Sequence, residues 1–140
     1  MIVVFTGDEE GTGKPYEQSR AALIEAAKRS DVALAFEGYE PGTAVVGRRG
    51  FSSWRLEVAG SQGHSSTIFG EERGSGAIFE AARILTAFHA ELREPYLTFN
   101  PSVLVGGTEV TYDPATFTGK ATGKSNVVPR SVIVEGDMRV

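Results

Sequence analysis

Three sets of side chains in this sequence are suited to chemistry. Gly7-Asp8-Glu9-Glu10-Gly11-Thr12-Gly13 crowds three carboxylates into a glycine-rich turn. Adjacent carboxylates repel one another, a cost most easily tolerated beside a cation. Turns also gather Asp, Glu and Gly for purely conformational reasons, so a solvated acidic turn is the competing reading. Glu37 is the second candidate, at the end of the apolar run Val32 to Phe36. Third is His64, in the small-residue stretch Gly60-Ser61-Gln62-Gly63-His64-Ser65-Ser66, where no bulky neighbour would hide an imidazole. By spacing alone it reads equally as a solvated loop histidine. His89 falls in a helical pattern and is expected at an interface or core edge, with no chemistry.

The elements that would position these residues follow from the hydrophobic pattern. Residues Ile2 to Thr6 are β-branched or aromatic throughout, which predicts a strand covered on both faces. Tyr16 to Arg29 is rich in Ala, contains Leu23 and Ile24, and predicts a helix with Pro15 in its first turn. Val32 to Phe36 predicts a second buried strand. Strand, helix and strand in that order form a right-handed βαβ unit. Parallel neighbours lie about 5 Å apart, so Glu10 and Glu37, ending such strands on one sheet edge, would reach one divalent ion or a close metal pair.

Residues 38 to 50, with Pro41 and four glycines, predict a linker. After it, Trp54, Leu56 and Val58 alternate with Arg55 and Glu57, as in a strand with one wet face. Ser75 is placed to cap a helix whose apolar positions Ile78, Ala81, Ala82, Leu85, Phe88 and Leu92 repeat every 3.6 residues. Leu97 to Val105 predicts a strand. So does Ser131 to Val140, with Val132, Val134, Met138 and Val140 on one side and Glu135, Asp137 and Arg139 on the other.

Composition narrows the function classes. A chain of 140 residues, 41% hydrophobic, supports one ordinary core or two small lobes. A net charge of -4 without a basic stripe argues against nucleic acid as partner. The chain has no cysteine, so any metal must sit on carboxylates and histidine. The opening apolar run is five residues long and leads straight into an acidic turn. It is read as neither signal peptide nor membrane span, which makes a cytoplasmic protein with no membrane partner the expectation. A phosphate-cradling loop is also excluded. Gly7 to Gly13 has five residues between its glycines instead of four, and Gly123-Lys124-Ser125 would need glycine where Thr118 stands.

Taken together, the pattern resembles the M20 family of metallopeptidases and amidohydrolases, which includes glutamate-releasing carboxypeptidases, aminoacylases, acetylornithine deacetylases and succinyl-diaminopimelate desuccinylases. The resemblance rests on Thr6-Gly7-Asp8-Glu9-Glu10, the strand ending at Glu37, the Gly60 to Ser66 loop, and Ser125-Asn126-Val127-Val128-Pro129 followed by Asp137-Met138-Arg139. It implies an α/β chain in two parts: residues 1–46 as a βαβ fragment of a zinc-hydrolase catalytic domain, and residues 47–140 as an incomplete α+β, ferredoxin-like lid and dimerisation domain. The implied activity is metal-dependent hydrolysis of an amide bond in an N-acyl amino acid or small peptide. Two zinc ions would serve each complete site, with cobalt or manganese as alternatives. Glu9 would be the general base, and Glu10 and Glu37 metal ligands. His64 would reach the active site of a partner subunit across a homodimer formed through the lid, while Asn126 and Arg139 would bind substrate. The family's remaining metal ligands lie outside the matching segments, so an internal fragment, inactive alone, is expected. A non-catalytic dimerisation module is the rival reading, and a nucleotide-binding βαβ protein a weaker third.

Overall fold

The strand from Ser131 to Arg139 lies between two others and organises most of the ordered structure. In the computed structural model, which describes residues 1–7, 9–38 and 40–140, the strands in chain order are β1 (Phe51–Ala59), β2 (Gly63–His64), β3 (Thr98–Gly107), β4 (Glu109–Asp113), β5 (Thr118–Thr122), β6 (Val127–Val128) and β7 (Ser131–Arg139). The helices are α1 (Tyr16–Ser19), α2 (Ala21–Ala27) and α3 (Gly76–Glu91). Two compact units emerge, Met1–Ala44 and Val45–Val140. Among the described residues no helix is long and apolar enough to cross a membrane.

In the second unit β1 and β3 flank β7 antiparallel, in the order β1-β7-β3. Alternation along β7 sends Val132 and Val134 to one face, and Val58, Leu56 and Trp54 of β1 join them there. That face is covered by α3, which contributes Ala77, Ala81, Ile84 and Leu85. Trp54 meets Phe88 edge to face at 6.3 Å between ring centroids and donates its indole N–H to the Asp137 carbonyl at 3.0 Å. The bulky indole fits because position 136 is glycine: a Cβ there would overlap the Trp54 ring and the Asn100 carbonyl oxygen.

The helix differs from its sequence-based expectation at its start. Ile78 is 46% exposed, and the buried line runs through Ala77 instead. Ser75 makes no side-chain capping bond. The helix start is tied to the sheet by the Ala77 N–H, which donates to the Pro129 carbonyl at 3.1 Å. Gly76 sits at φ +76°, and a Cβ there would come within 2.6 Å of Val128, so glycine satisfies both the backbone and the packing at this junction.

The strand expected over Leu97 to Val105 forms as β3, starting one residue later and ending two later, and carries a register shift between Pro101 and Val103. Proline lacks the N–H a ladder uses and is accommodated at sheet edges and bulges, both of which apply here. The β4–β5 hairpin was not expected from the sequence. Its turn is held by Asp113, which accepts from the Ala115 N–H at 2.9 Å and the Thr116 hydroxyl at 2.8 Å. These bonds, the Thr116 hydroxyl foremost, hold the Asp113 carboxyl below its ordinary value. On the polar face of the large sheet Arg55 pairs with Glu135 and lies 5.4 Å from the centre of the Tyr112 ring, bringing β4 against that face.

The first unit departs further from expectation. Residues 2–6 and 32–36 are not strands, and no βαβ pairing forms among the described residues. Parallel strands are stable when both faces are covered, and here Phe5 is 94% and Phe36 92% exposed, with Ala26 the one buried hydrophobic residue described in this unit. The single expected helix over 16–29 is broken at Arg20, whose φ of -109° and ψ of 14° separate α1 from α2. Its Ala-rich composition makes helix locally, without a sheet to pack on.

Candidate functional site

His64 is set by backbone pairing. Gly63 and His64 form a short antiparallel ladder with Val128 and Val127, and the Ser65 N–H donates to the Asn126 carbonyl at 2.9 Å. The same end of the large sheet is closed by the Gly60 N–H, which donates to the Arg130 carbonyl at 2.8 Å. Two sequence-predicted site residues, His64 and Asn126, therefore share one small ladder at the Ser131 end of β7.

Three further residues hold this loop, and motif reasoning passed over all of them. Arg73 lies across Gly63 and donates to the Gln62 carbonyl, and a side chain at position 63 would collide with its guanidinium. Ser66 approaches the His64 ring: its backbone N–H donates to Nδ1 at 3.2 Å, and its hydroxyl lies 2.8 Å from the same atom. Thr67 donates its hydroxyl to the His64 carbonyl at 2.8 Å. The imidazole thereby caps a short 3-10 turn, Ser65–Thr67, while the residue stays exposed. Lys124 lines a groove of about 330 Å³ with Gln62, Thr108, Thr122 and Val127. The signal for Ser66 was the run of serines after the histidine, since Ser favours such local side-chain and backbone bonds.

Arg139 is placed elsewhere. It pairs in the ladders with Phe51 and Thr98, at the other end of β7 from Ser131. Its guanidinium lies 5.7 Å from the centre of the Phe51 ring and 3.5 Å from Asp137. The strand is nine residues long, roughly 26 Å from end to end at the usual rise. Arg139 and His64 of one chain thus lie toward opposite ends of β7.

Glu9 and Glu10 begin a 3-10 turn, Glu9–Gly11, and are exposed, as is Glu37. Asp8 of the acidic triplet lies outside the described residues. Arg20 ties the turn down, donating to the Thr12 hydroxyl and, at 3.5 Å, to the Glu9 carbonyl. Among the described residues no three His, Asp or Glu side chains come together in a way that could hold a metal ion. Glu10 and Glu37 are fewer donors than four-coordinate zinc takes, so these residues do not make up a metal site by themselves. His89 is exposed and in contact with Arg93, beside an apolar groove of about 430 Å³ lined by Trp54, Leu85, Phe88, Leu97 and Phe99.

Against known families, residues 46–140 match the M20 peptidase dimerisation domain, which is more than half of the chain. The chain belongs to the M20 peptidase dimerisation family. The matched segment contains the three-stranded antiparallel sheet, its covering helix and both two-stranded ladders. Among solved structures, an amidase of the hydantoinase/carbamoylase family from Burkholderia multivorans is similar, at 17% identity and a TM-score of 0.41 over 66% of this chain and 20% of that one. A protein assigned as an aminohydrolase from methicillin-resistant Staphylococcus aureus is similar at 26% identity and a TM-score of 0.41, over 65% of this chain and 21% of that one. The chain thus spans about a fifth of the length of these structures. No curated protein matches it.

Proposed function

We propose that this chain is the lid-bearing part of a metal-dependent M20-type amidohydrolase, and that its lid lends His64 to the active site of a second subunit. The observation that carries this reading is the separation along β7. His64 and Asn126 lie at one end and Arg139 at the other, so a site using all three on one small substrate draws them from two chains. An isologous dimer supplies that arrangement twice.

The substrate class is an N-acyl amino acid or small peptide, cleaved at its amide bond. Glu9 takes a proton from the attacking water and passes it to the leaving nitrogen as the carbon–nitrogen bond breaks. The partner's His64 donates from Nε2 to the oxygen that gains charge on the scissile carbonyl. Asn126, from the same chain as that His64, and Arg139, from the chain carrying Glu9, hold the rest of the substrate, Arg139 with a planar fork suited to a carboxylate. Glu10 and Glu37 are assigned to the metal, with zinc the expected ion, and residues 1–46 to the catalytic domain. The sequence match, confined to residues 46–140, favours a second reading, a dimerisation module without catalysis.

The test uses the complete enzyme. His64→Ala should lower kcat by about 10²- to 10³-fold with the fold intact. Mixing inactive His64→Ala and Glu9→Gln enzymes should give heterodimers with one site carrying both defects and one carrying neither. With free exchange of subunits in equal amounts, about a quarter of the wild-type activity should return. Arg139→Ala in place of Glu9→Gln should complement in the same way. Demonstrated exchange with no recovered activity would place His64 in its own subunit's site, and a fully active His64→Ala enzyme would leave the dimerisation module standing.

A further inference from the structure

We propose that Ser66 is a positioning residue that fixes His64 as the Nε2–H tautomer and so presents a hydrogen-bond donor outward. The inference rests on the reading of His64 as an oxyanion donor, which needs a proton on the outward nitrogen. A backbone N–H can only donate. The Ser66 N–H directed at Nδ1 at 3.2 Å therefore makes that nitrogen an acceptor, and a neutral imidazole then carries its proton on Nε2.

The Ser66 hydroxyl, 2.8 Å from the same nitrogen, donates as well, because Nδ1 has no hydrogen to offer it. Both groups come from one residue two positions along the chain. Its place is fixed in turn by the Thr67 hydroxyl on the His64 carbonyl and by the Ser65 N–H on Asn126. With Nδ1 held, rotation of the ring is opposed, and Nε2 points away from the turn without having to be charged. A histidine free of such contacts would exchange tautomers and ring orientations in water; here the cap that closes the Ser65–Thr67 turn also selects the tautomer.

Nuclear magnetic resonance on the 15N-labelled 140-residue chain, at about pH 9, above the ordinary histidine range, tests this directly. His64 should show an unprotonated Nδ1 and a protonated Nε2, with a coupling through the hydrogen bond from the Ser66 amide nitrogen to Nδ1. His89 serves as the internal comparison. Ser66→Ala should keep the coupling and shift the Nδ1 resonance. Ser66→Pro, which has no N–H, should lose the coupling and let the Nδ1–H form appear, while amide signals of β1, β3 and β7 stay in place. If Ser66→Pro does not fold, the wild-type coupling and the Ser66→Ala shift still decide. A protonated Nδ1, or no coupling in the wild type, overturns the proposal whatever the kinetics show. In the complete enzyme Ser66→Pro should lower kcat toward the His64→Ala value and leave KM nearly unchanged. A fixed tautomer combined with a fully active His64→Ala enzyme overturns the catalytic role of both residues and leaves the cap as local structure only.

Discussion

Residues 2–6 and the Val132-Ile133-Val134 stretch of β7 are both rich in β-branched side chains, yet the first is largely exposed and unpaired and the second lies in the best-buried strand among the described residues. Phe5 is 94% exposed, whereas Val134 is fully buried. The difference lies in what surrounds them. β7 has an antiparallel partner on each side and a helix over one face, all supplied within ninety or so residues of local sequence. A strand that must be buried on both faces needs neighbours above, below and beside it, and a βαβ unit alone supplies a strand on one side and a helix over one face, leaving the other face open. Propensity proposes a strand, and cover decides whether it exists.

The largest effect expected from this contrast is that of a buried charge. Val134→Asp places an unpartnered carboxylate in the core cluster of Val58, Ala77, Ala81 and Val132 and should cost about 3–5 kcal/mol in chemical denaturation, enough to unfold the second unit. Val3→Asp, at a position 61% exposed, should change stability by no more than about 0.5 kcal/mol. Equal effects would mean that residues 2–6 are covered after all.

A smaller effect separates two glycines. Gly136→Ala forces a methyl group against the Asn100 carbonyl and the Trp54 ring and should cost about 1–3 kcal/mol, with a change in Trp54 fluorescence. Gly11→Ala, in the acidic turn, has nothing within 4 Å of the added carbon and should leave the melting temperature unmoved.

The smallest effect is a pH dependence confined to the β4–β5 turn. Asp113 is held below its ordinary value in the folded chain, so its contribution is fully present above the ordinary carboxylate range and is lost as pH falls through the lowered value. Between about pH 5 and about pH 2 the wild type should lose more stability than Asp113→Asn. Identical acid melting curves would show that the turn does not depend on the charge.

What the sequence disclosed divides along the same line. β1, α3 and β7 were legible because Trp54, Leu56, Val58, Ala81, Leu85, Val132 and Val134 keep the periods of a half-buried strand and an amphipathic helix. The β4–β5 hairpin was not, because β5 is Thr-Gly-Lys-Ala-Thr, with all five residues exposed and no apolar side to betray it. For the site, the loop carrying His64 and the segment carrying Asn126 were recognisable as motifs, but their pairing through β2 and β6 was not. Two-residue ladders leave no periodic trace. Nor does sequence spacing reveal that Arg139, thirteen positions after Asn126, ends up at the far end of a straight strand.

The proline in β3 also bears on solubility. The two outer strands of the β1-β7-β3 sheet are not equivalent as templates for further strands. Along β3, Pro101 removes a donor and the neighbouring bulge breaks the repeat, so an incoming chain meets an interrupted row of hydrogen-bonding groups. Along β1 the nine residues from Phe51 to Ala59 keep unbroken register with β7. Growth of this sheet is therefore polar: the β3 edge resists indiscriminate, aggregation-prone stacking, and the β1 edge is the one on which an added strand would find every donor and acceptor in step.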